Sequence, residues 1–156
     1  TVGVLLEVVD AVAAELGPER VCVRQSPRGA ANDMQPDPDP MGTYTWIARE
    51  LDKRKIGFLH IYDQSATWIH DPADDLLPAL RQAYGGALMV CGGFKREKGE
   101  AVLARGADLV AIGKLFISNP DLVARLKTNV DLNPWDATTF YAGGTRGYTD
   151  YPNASE

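Results

Sequence analysis

Ala87-Leu88-Met89-Val90-Cys91-Gly92-Gly93-Phe94-Lys95 and, further along, Ala107-Asp108-Leu109-Val110-Ala111-Ile112-Gly113-Lys114 are the stretches that decide the fold. Each is a short apolar run that stops on glycine and gives way to a helical pattern, so each reads as strand, glycine turn, helix. Glycines without Cβ let backbone N–H groups close on an anion, and the helix that follows presents its positive end to the same place. The second turn adds a cation, Lys114, and leads into Ser118-Asn119-Pro120-Asp121. Two such turns on neighbouring strands can grip one phosphate from both sides.

Outward from these turns the same alternation repeats. Val4 to Leu16 carries apolar residues at three- and four-residue steps and ends on Gly17, which predicts an amphipathic helix with a glycine C′ and no cap at its start. Val21-Cys22-Val23-Arg24 reads as a buried strand ending in a charge. A proline-rich loop from Asn32 to Pro40 precedes a helix over 41–53, with Trp46, Ile47 and Leu51 on one side. Ile56 to Ile61 is the next strand, Tyr62 to Ala73 a long polar loop, and Leu76 to Tyr84 a short helix stopped by Gly85-Gly86. The last helix is expected over 120–127, capped by Asn119 with Pro120 at its first position. From Asn129 onward the chain reads as a tail rich in Gly, Thr and Tyr.

Four strands that are apolar on both faces, alternating with helices, imply an α/β fold with a parallel sheet covered on both sides. The residues of chemical interest, Arg24, His60, Gly92, Gly93, Gly113 and Lys114, all fall at the carboxyl ends of those strands, where (β/α)₈ barrels carry their sites. Four strands do not close such a barrel. The pattern fits half of one, and equally a small open sheet.

Composition narrows the function classes. The 156 residues carry net charge −5 with 45% hydrophobic and 24% charged residues, an ordinary acidic protein of one domain's length. A chain of this length can bury about 68–70% of its unfolded surface, so core size is not limiting. No basic cluster points to nucleic acid, and no apolar run approaches the ~18 residues of a membrane span. The amino end lacks the marks of a secretory signal, so the cytoplasm is expected. Cys22 and Cys91 lie in strand-like runs without a CxxC or Cys/His pairing, and are expected as small buried core residues. His60 and His70 have no second ligand at suitable spacing, so no metal is expected. His60 is expected to be packed and hydrogen-bonded.

Taken as an ordered set, several motifs resemble one family. They are Glu7-Val8-Val9-Asp10-Ala11-Val12, Val23 to Gly29, Ala48 to Arg54, Gly92-Gly93-Phe94, Ala107 to Leu122, Phe140 to Gly144 and Gly147 to Pro152. Together they look like the carboxyl-terminal half of the Old Yellow Enzyme family, near its N-ethylmaleimide reductase and 12-oxophytodienoate reductase branch, in one colinear register from about Leu5 to Pro152. The resemblance implies residues 1–128 as about strands five to eight of an FMN-binding (β/α)₈ barrel, with 129–156 as a tail over the active-site side. It implies an NAD(P)H-dependent ene-reductase that passes hydride through FMN to an activated alkene such as an enone.

Position by position, Arg24 matches the arginine against the flavin N1/O2 edge, where a fixed guanidinium suits developing negative charge. Gly92, Gly93, Gly113 and Lys114 match the residues that hold the FMN phosphate. Phe116 follows this turn and is expected near the cofactor, and Tyr141 matches a tail tyrosine over the substrate pocket. The plainer alternatives are Arg24 as a structural ion pair, the glycines as simple turns and Tyr141 as packing. A different phosphate-binding barrel would keep the turns but leave Arg24 and Tyr141 without a role.

Three departures stand out. Lys114 replaces the usual arginine and gives up its planar fork, so weaker FMN retention is expected. Asp63 to His70 does not match the family's turn, and Thr1-Val2-Gly3-Val4 departs from its helix start. The family's substrate-activating groups belong to the first four strands, whose motifs do not occur in these residues, so no catalytic residue is assigned. The alternative to a reductase is an incompetent half-barrel that self-associates or pairs with an amino-terminal half.

Overall fold

The computed structural model of the chain describes residues 2–29, 33, 35, 37–62 and 75–154. The polar loop expected after Tyr62, with His70 in it, lies outside the described residues, as does part of the loop before Pro40. The chain divides into two compact units, Thr1–Ala111 and Ile112–Glu156.

In the first unit, helix α1 (Val2–Leu16) ends as its glycine requires, with Gly17 at φ +86° and its N–H donating 3.0 Å to the Ala13 carbonyl. Strand β1 (Cys22–Gln25) follows, then α2 (Pro40–Lys53), which starts one residue before the expected position. There Asp39 accepts from the Gly42 N–H at 2.9 Å, and Pro40 takes the first turn where no N–H is needed. Ile47, Ala48 and Leu51 are buried, but Trp46 is exposed. Being next to Ile47 in a helix, it is turned about 100° away from the apolar stripe. The remaining elements are β2 (Phe58–Tyr62), α3 (Leu77–Ala83), β3 (Ala87–Cys91), α4 (Arg96–Ala104) and β4 (Leu109–Ala111).

The four strands are parallel and lie in chain order, β1-β2-β3-β4. Right-handed crossovers between strands that advance steadily in one direction put every connecting helix on the same face, which is barrel winding. A doubly wound sheet would reverse direction at a switch point. The burial follows. Val23, Leu59, Ile61, Leu88 and Val90 point to the helix side and are buried, each contributing about 1.5–3 kcal/mol from removal of its side chain from water. On the other face Cys22 and Arg24 of β1 are exposed, while Phe58, His60, Tyr62, Ala87, Met89 and Cys91 are only part-covered. The expectation of a sheet covered on both sides is therefore corrected: helices cover one face, and the other is open. Cys22 and Cys91 sit on that open face, so neither is a fully buried core residue.

Carboxylates tie the helix layer together. Arg54 bridges Asp10 of α1 at 2.6 Å and Glu50 of α2 at 3.2 Å. Asp52 accepts from the Gly85 N–H at 2.9 Å, and Arg81 meets Asp108 at 2.7 Å. Tyr84, buried among these helices, donates its hydroxyl to the Ile56 carbonyl at 2.8 Å.

The second unit opens with α5 (Lys114–Ser118), continues with α6 (Leu122–Thr128), and is completed by the turn Ala137–Thr139. Asn119 does not cap the last helix as expected. It terminates α5, and its side chain is spent elsewhere: Nδ2 donates to the Leu115 carbonyl at 2.9 Å, while Oδ1 accepts from the Asn133 N–H at 2.7 Å. Helix α6 starts after Asp121 instead, and Asn129 ends it at φ +58°, a left-handed position that asparagine tolerates.

Candidate functional site

On the open face of the first unit, register sets Arg24 level with His60 of β2 and Met89 of β3. The parallel pairing carries all three strands to one rim, where Gly92-Gly93 follow β3. Arg24 leans diagonally onto the next strand, its guanidinium carbon 4.7 Å from the Tyr62 ring centroid. It makes no ion pair among the described residues, so the reading of Arg24 as one half of a structural ion pair finds no partner there.

Its charge is felt by its neighbours. Burial, reinforced by Arg24, holds His60 below the ordinary histidine value, which favours its neutral form. Burial pushes the Cys91 thiol up, and Arg24 partly opposes that. The expected hydrogen bond of His60 is not found at Nε2, which is buried and has no partner among the described residues. A parallel strand satisfies backbone groups only, so a side chain on the open face depends on whatever fills that face.

The first glycine turn runs directly into Phe94, which is buried. Gly93 is at φ +71°, a region that favours glycine, and a Cβ there would meet nothing within 4 Å. Gly92 is buried and Gly93 exposed.

The second turn belongs to the second unit. Gly113 has φ −99°, which any residue adopts, and a Cβ there would again meet nothing within 4 Å. Backbone strain does not demand glycine at 113, but the open space suits close approach by a ligand. Lys114 is the first residue of α5, and its Nζ sits 5.3 Å from the Trp135 ring centroid. Trp135 in turn packs on Phe140 in a tilted pair, centroids 5.6 Å apart. Phe116 is 48% exposed, about half covered, and Tyr141 is 99% exposed and packs on nothing among the described residues.

Beneath this turn a buried polar latch fixes the tail. Ser118 Oγ donates to the Asn133 carbonyl at 3.0 Å, and Asn133 Nδ2 donates to the carbonyls of Ser118 at 2.9 Å and Pro152 at 3.0 Å. Arg125, 5% exposed, donates to Asp121 at 2.6 Å and to the carbonyls of Asp131 at 2.6 Å and Pro152 at 2.9 Å.

The residues present fit a flavin nucleotide in kind. Two cations pair with no carboxylate among the described residues, and two glycine turns leave room where a Cβ would stand. Sequence reading missed Tyr62 and Trp135. Period two along Phe58-His60-Tyr62 places Tyr62 on the face of Arg24, but nothing local pairs Lys114 with a ring so far along the chain. Among the described residues no group of acidic, histidine or cysteine side chains could hold a metal ion, and no helix is long and apolar enough to cross a membrane.

Comparison with known proteins agrees with this chemistry. The family model described as NADH:flavin oxidoreductase / NADH oxidase matches residues 3–133. Among curated proteins, a putative 12-oxophytodienoate reductase 12 from Oryza sativa subsp. japonica is 42% identical, covering 94% of this chain and 39% of its own length. The 12-oxophytodienoate reductase 2 of Arabidopsis thaliana is 39% identical over 95% of this chain and 40% of its own. Among solved structures, morphinone reductase in complex with tetrahydroNAD superposes with TM-score 0.85 at 39% identity, over 95% of this chain and 39% of that one. The chain thus spans about two fifths of the length of these relatives.

Proposed function

The chain belongs to the NADH:flavin oxidoreductase / NADH oxidase family, the Old Yellow Enzymes, as the carboxyl-terminal part (about strands five to eight) of their (β/α)₈ barrel, and from that premise we propose that it is the FMN phosphate-binding part of an NAD(P)H-dependent ene-reductase. The observation that carries the reading is that Arg24 and Lys114, two cations at strand ends, each lie beside an aromatic ring and pair with no carboxylate among the described residues. Arg54 and Arg81, which tie the helix layer, are by contrast paired with carboxylates. A cation kept uncompensated at a strand end is suited to an anionic ligand.

In this reading Arg24 faces the N1/O2 edge of the isoalloxazine ring with a fixed positive charge. Gly92, Gly93, Gly113 and Lys114 hold the phosphate, the glycines through backbone N–H groups and Lys114 through its charge. Phe116 lies near the cofactor, and Tyr141 serves the substrate pocket. FMN bound there supplies hydride chemistry, from NAD(P)H to the β-carbon of an enone-type alkene. Activation of the substrate carbonyl and the proton donor come from the first four strands, and the assembled enzyme works in the cytoplasm. Arg24→Ala is expected to slow flavin reduction more than it weakens FMN binding, and Lys114→Ala to do the reverse. FMN titration and anaerobic reduction by NADPH, with the amino-terminal barrel half supplied, measure both. Equal effects of the two variants would sink the assignment.

A second reading is favoured by the open sheet face, where Phe58, Met89 and the 45% exposed Leu109 stay in contact with solvent. The chain by itself is then an inactive half-barrel covering that face with a second copy or with the amino-terminal half. Purified chain that stays colourless with FMN and runs as a dimer supports this reading. Flavin that NADPH bleaches and an enone reoxidises supports the first.

A further inference from the structure

We propose that Trp135 is a positioning residue that seats Lys114 for a phosphate monoester, so that this turn distinguishes FMN from riboflavin. The inference rests on the FMN reading and concerns how the second turn achieves it.

Lysine is a point charge on a flexible stem, and without arginine's planar fork it gains little unless something else orders it. The Trp135 ring, 5.3 Å from Nζ, supplies that order. An aromatic face attracts a cation without neutralising it, whereas a carboxylate in the same place would compete with the phosphate. Lys114 keeps donors free for an anion while its stem is held.

The ring packs on one neighbour, and the backbone on either side of it is tied down. Phe140 packs against it at 5.6 Å. Two positions earlier, Asn133 is fixed by its N–H to Asn119 and by its side chain to Ser118 and Pro152. One position later, the Asp136 N–H donates to the Tyr151 hydroxyl at 3.2 Å, and its carboxylate caps Thr138 at 2.9 Å. The latch therefore fixes the chain on both sides of an exposed ring that packs on Phe140, and what lies on that ring is Lys114.

Titration of FMN and of riboflavin into the protein and its variants tests this. Trp135→Ala is expected to weaken FMN about three- to five-fold, the scale of an exposed cation–π contact, and to leave riboflavin unchanged. Trp135→Phe is expected to restore most of the loss, and Trp135→Ala in a Lys114→Ala background to add nothing. A readout free of cofactor is the NMR shift of the Lys114 ε-methylene protons, upfield in the wild type and normal in Trp135→Ala. Equal weakening of both flavins, or an FMN preference untouched by Trp135→Ala, would overturn the proposal while leaving the FMN reading in place. A wild type that binds neither flavin ends that reading, and this inference with it.

Discussion

Arg125 in the Ile112–Glu156 unit and Arg24 on the open sheet face carry the same guanidinium into opposite surroundings. Arg125 is buried and spends its donors on Asp121 and on the carbonyls of Asp131 and Pro152. Its charge is consumed in closing the tail. Arg24 is exposed, has no carboxylate among the described residues, and rests on the Tyr62 ring. The first arrangement gains stability from pairing, because breaking a buried pair strands a charge. The second gives up that gain and keeps a field at the rim. The difference teaches where this chain places stability and where it leaves capacity for a ligand.

The contrast breaks most readily at Arg125. Arg125→Ala removes a buried guanidinium that holds Asp121 and the carbonyls of Asp131 and Pro152, and is expected to cost about 2–3 kcal/mol, read as a lower urea midpoint and faster proteolysis within 130–154. Asn133→Ala removes side-chain bonds from the same latch and should cost about 1–2 kcal/mol in the same assay. Arg24→Ala loses one exposed ring contact, so its stability should stay within about 1 kcal/mol of wild type even where flavin reduction suffers. A large destabilisation by Arg24→Ala would erase the distinction.

The pH responses sharpen it further. The Ala154 amide, then Arg125, hold Asp121 below the ordinary carboxylate value. A depressed carboxylate contributes stability that is present above its unfolded value of about 3.9 and lost as pH falls through the folded one, so the latch should loosen only in strong acid. His60 is also depressed, by burial and then Arg24, but as a base: its neutral form is favoured in the fold. Its contribution is present above the unfolded value of about 6.5 and fades as pH falls through its folded value. Thermal unfolding followed from pH 7 downward should therefore show the sheet unit weakening in a milder range than the latch, and His60→Gln should remove that component.

The alternation of apolar runs and helices and the glycine stops were legible because each depends on neighbours a few residues away. Gly17 ends α1, Asp39 and Pro40 start α2, and Gly92-Gly93 end β3 for local steric reasons that any reader of the chain can apply. Asn119 misled, because its local pattern is that of a helix cap while a distant residue, Asn133, offers its side chain better hydrogen bonds. Cys22, Trp46 and the half-open sheet misled for a related reason. An apolar residue signals burial, but it does not say whether the covering surface lies in these residues.

By itself, the sequence determined the α/β class and the residue types at the strand ends, since period, turn chemistry and charge are written in consecutive positions, while the barrel winding came from the order in which the strands pair. Only the tertiary structure decided which charges are neutralised and which are left. Tyr62 with Arg24, Trp135 with Lys114, and Arg125 with Pro152 are pairs made by folding, and no local rule connects residues that far apart along a chain.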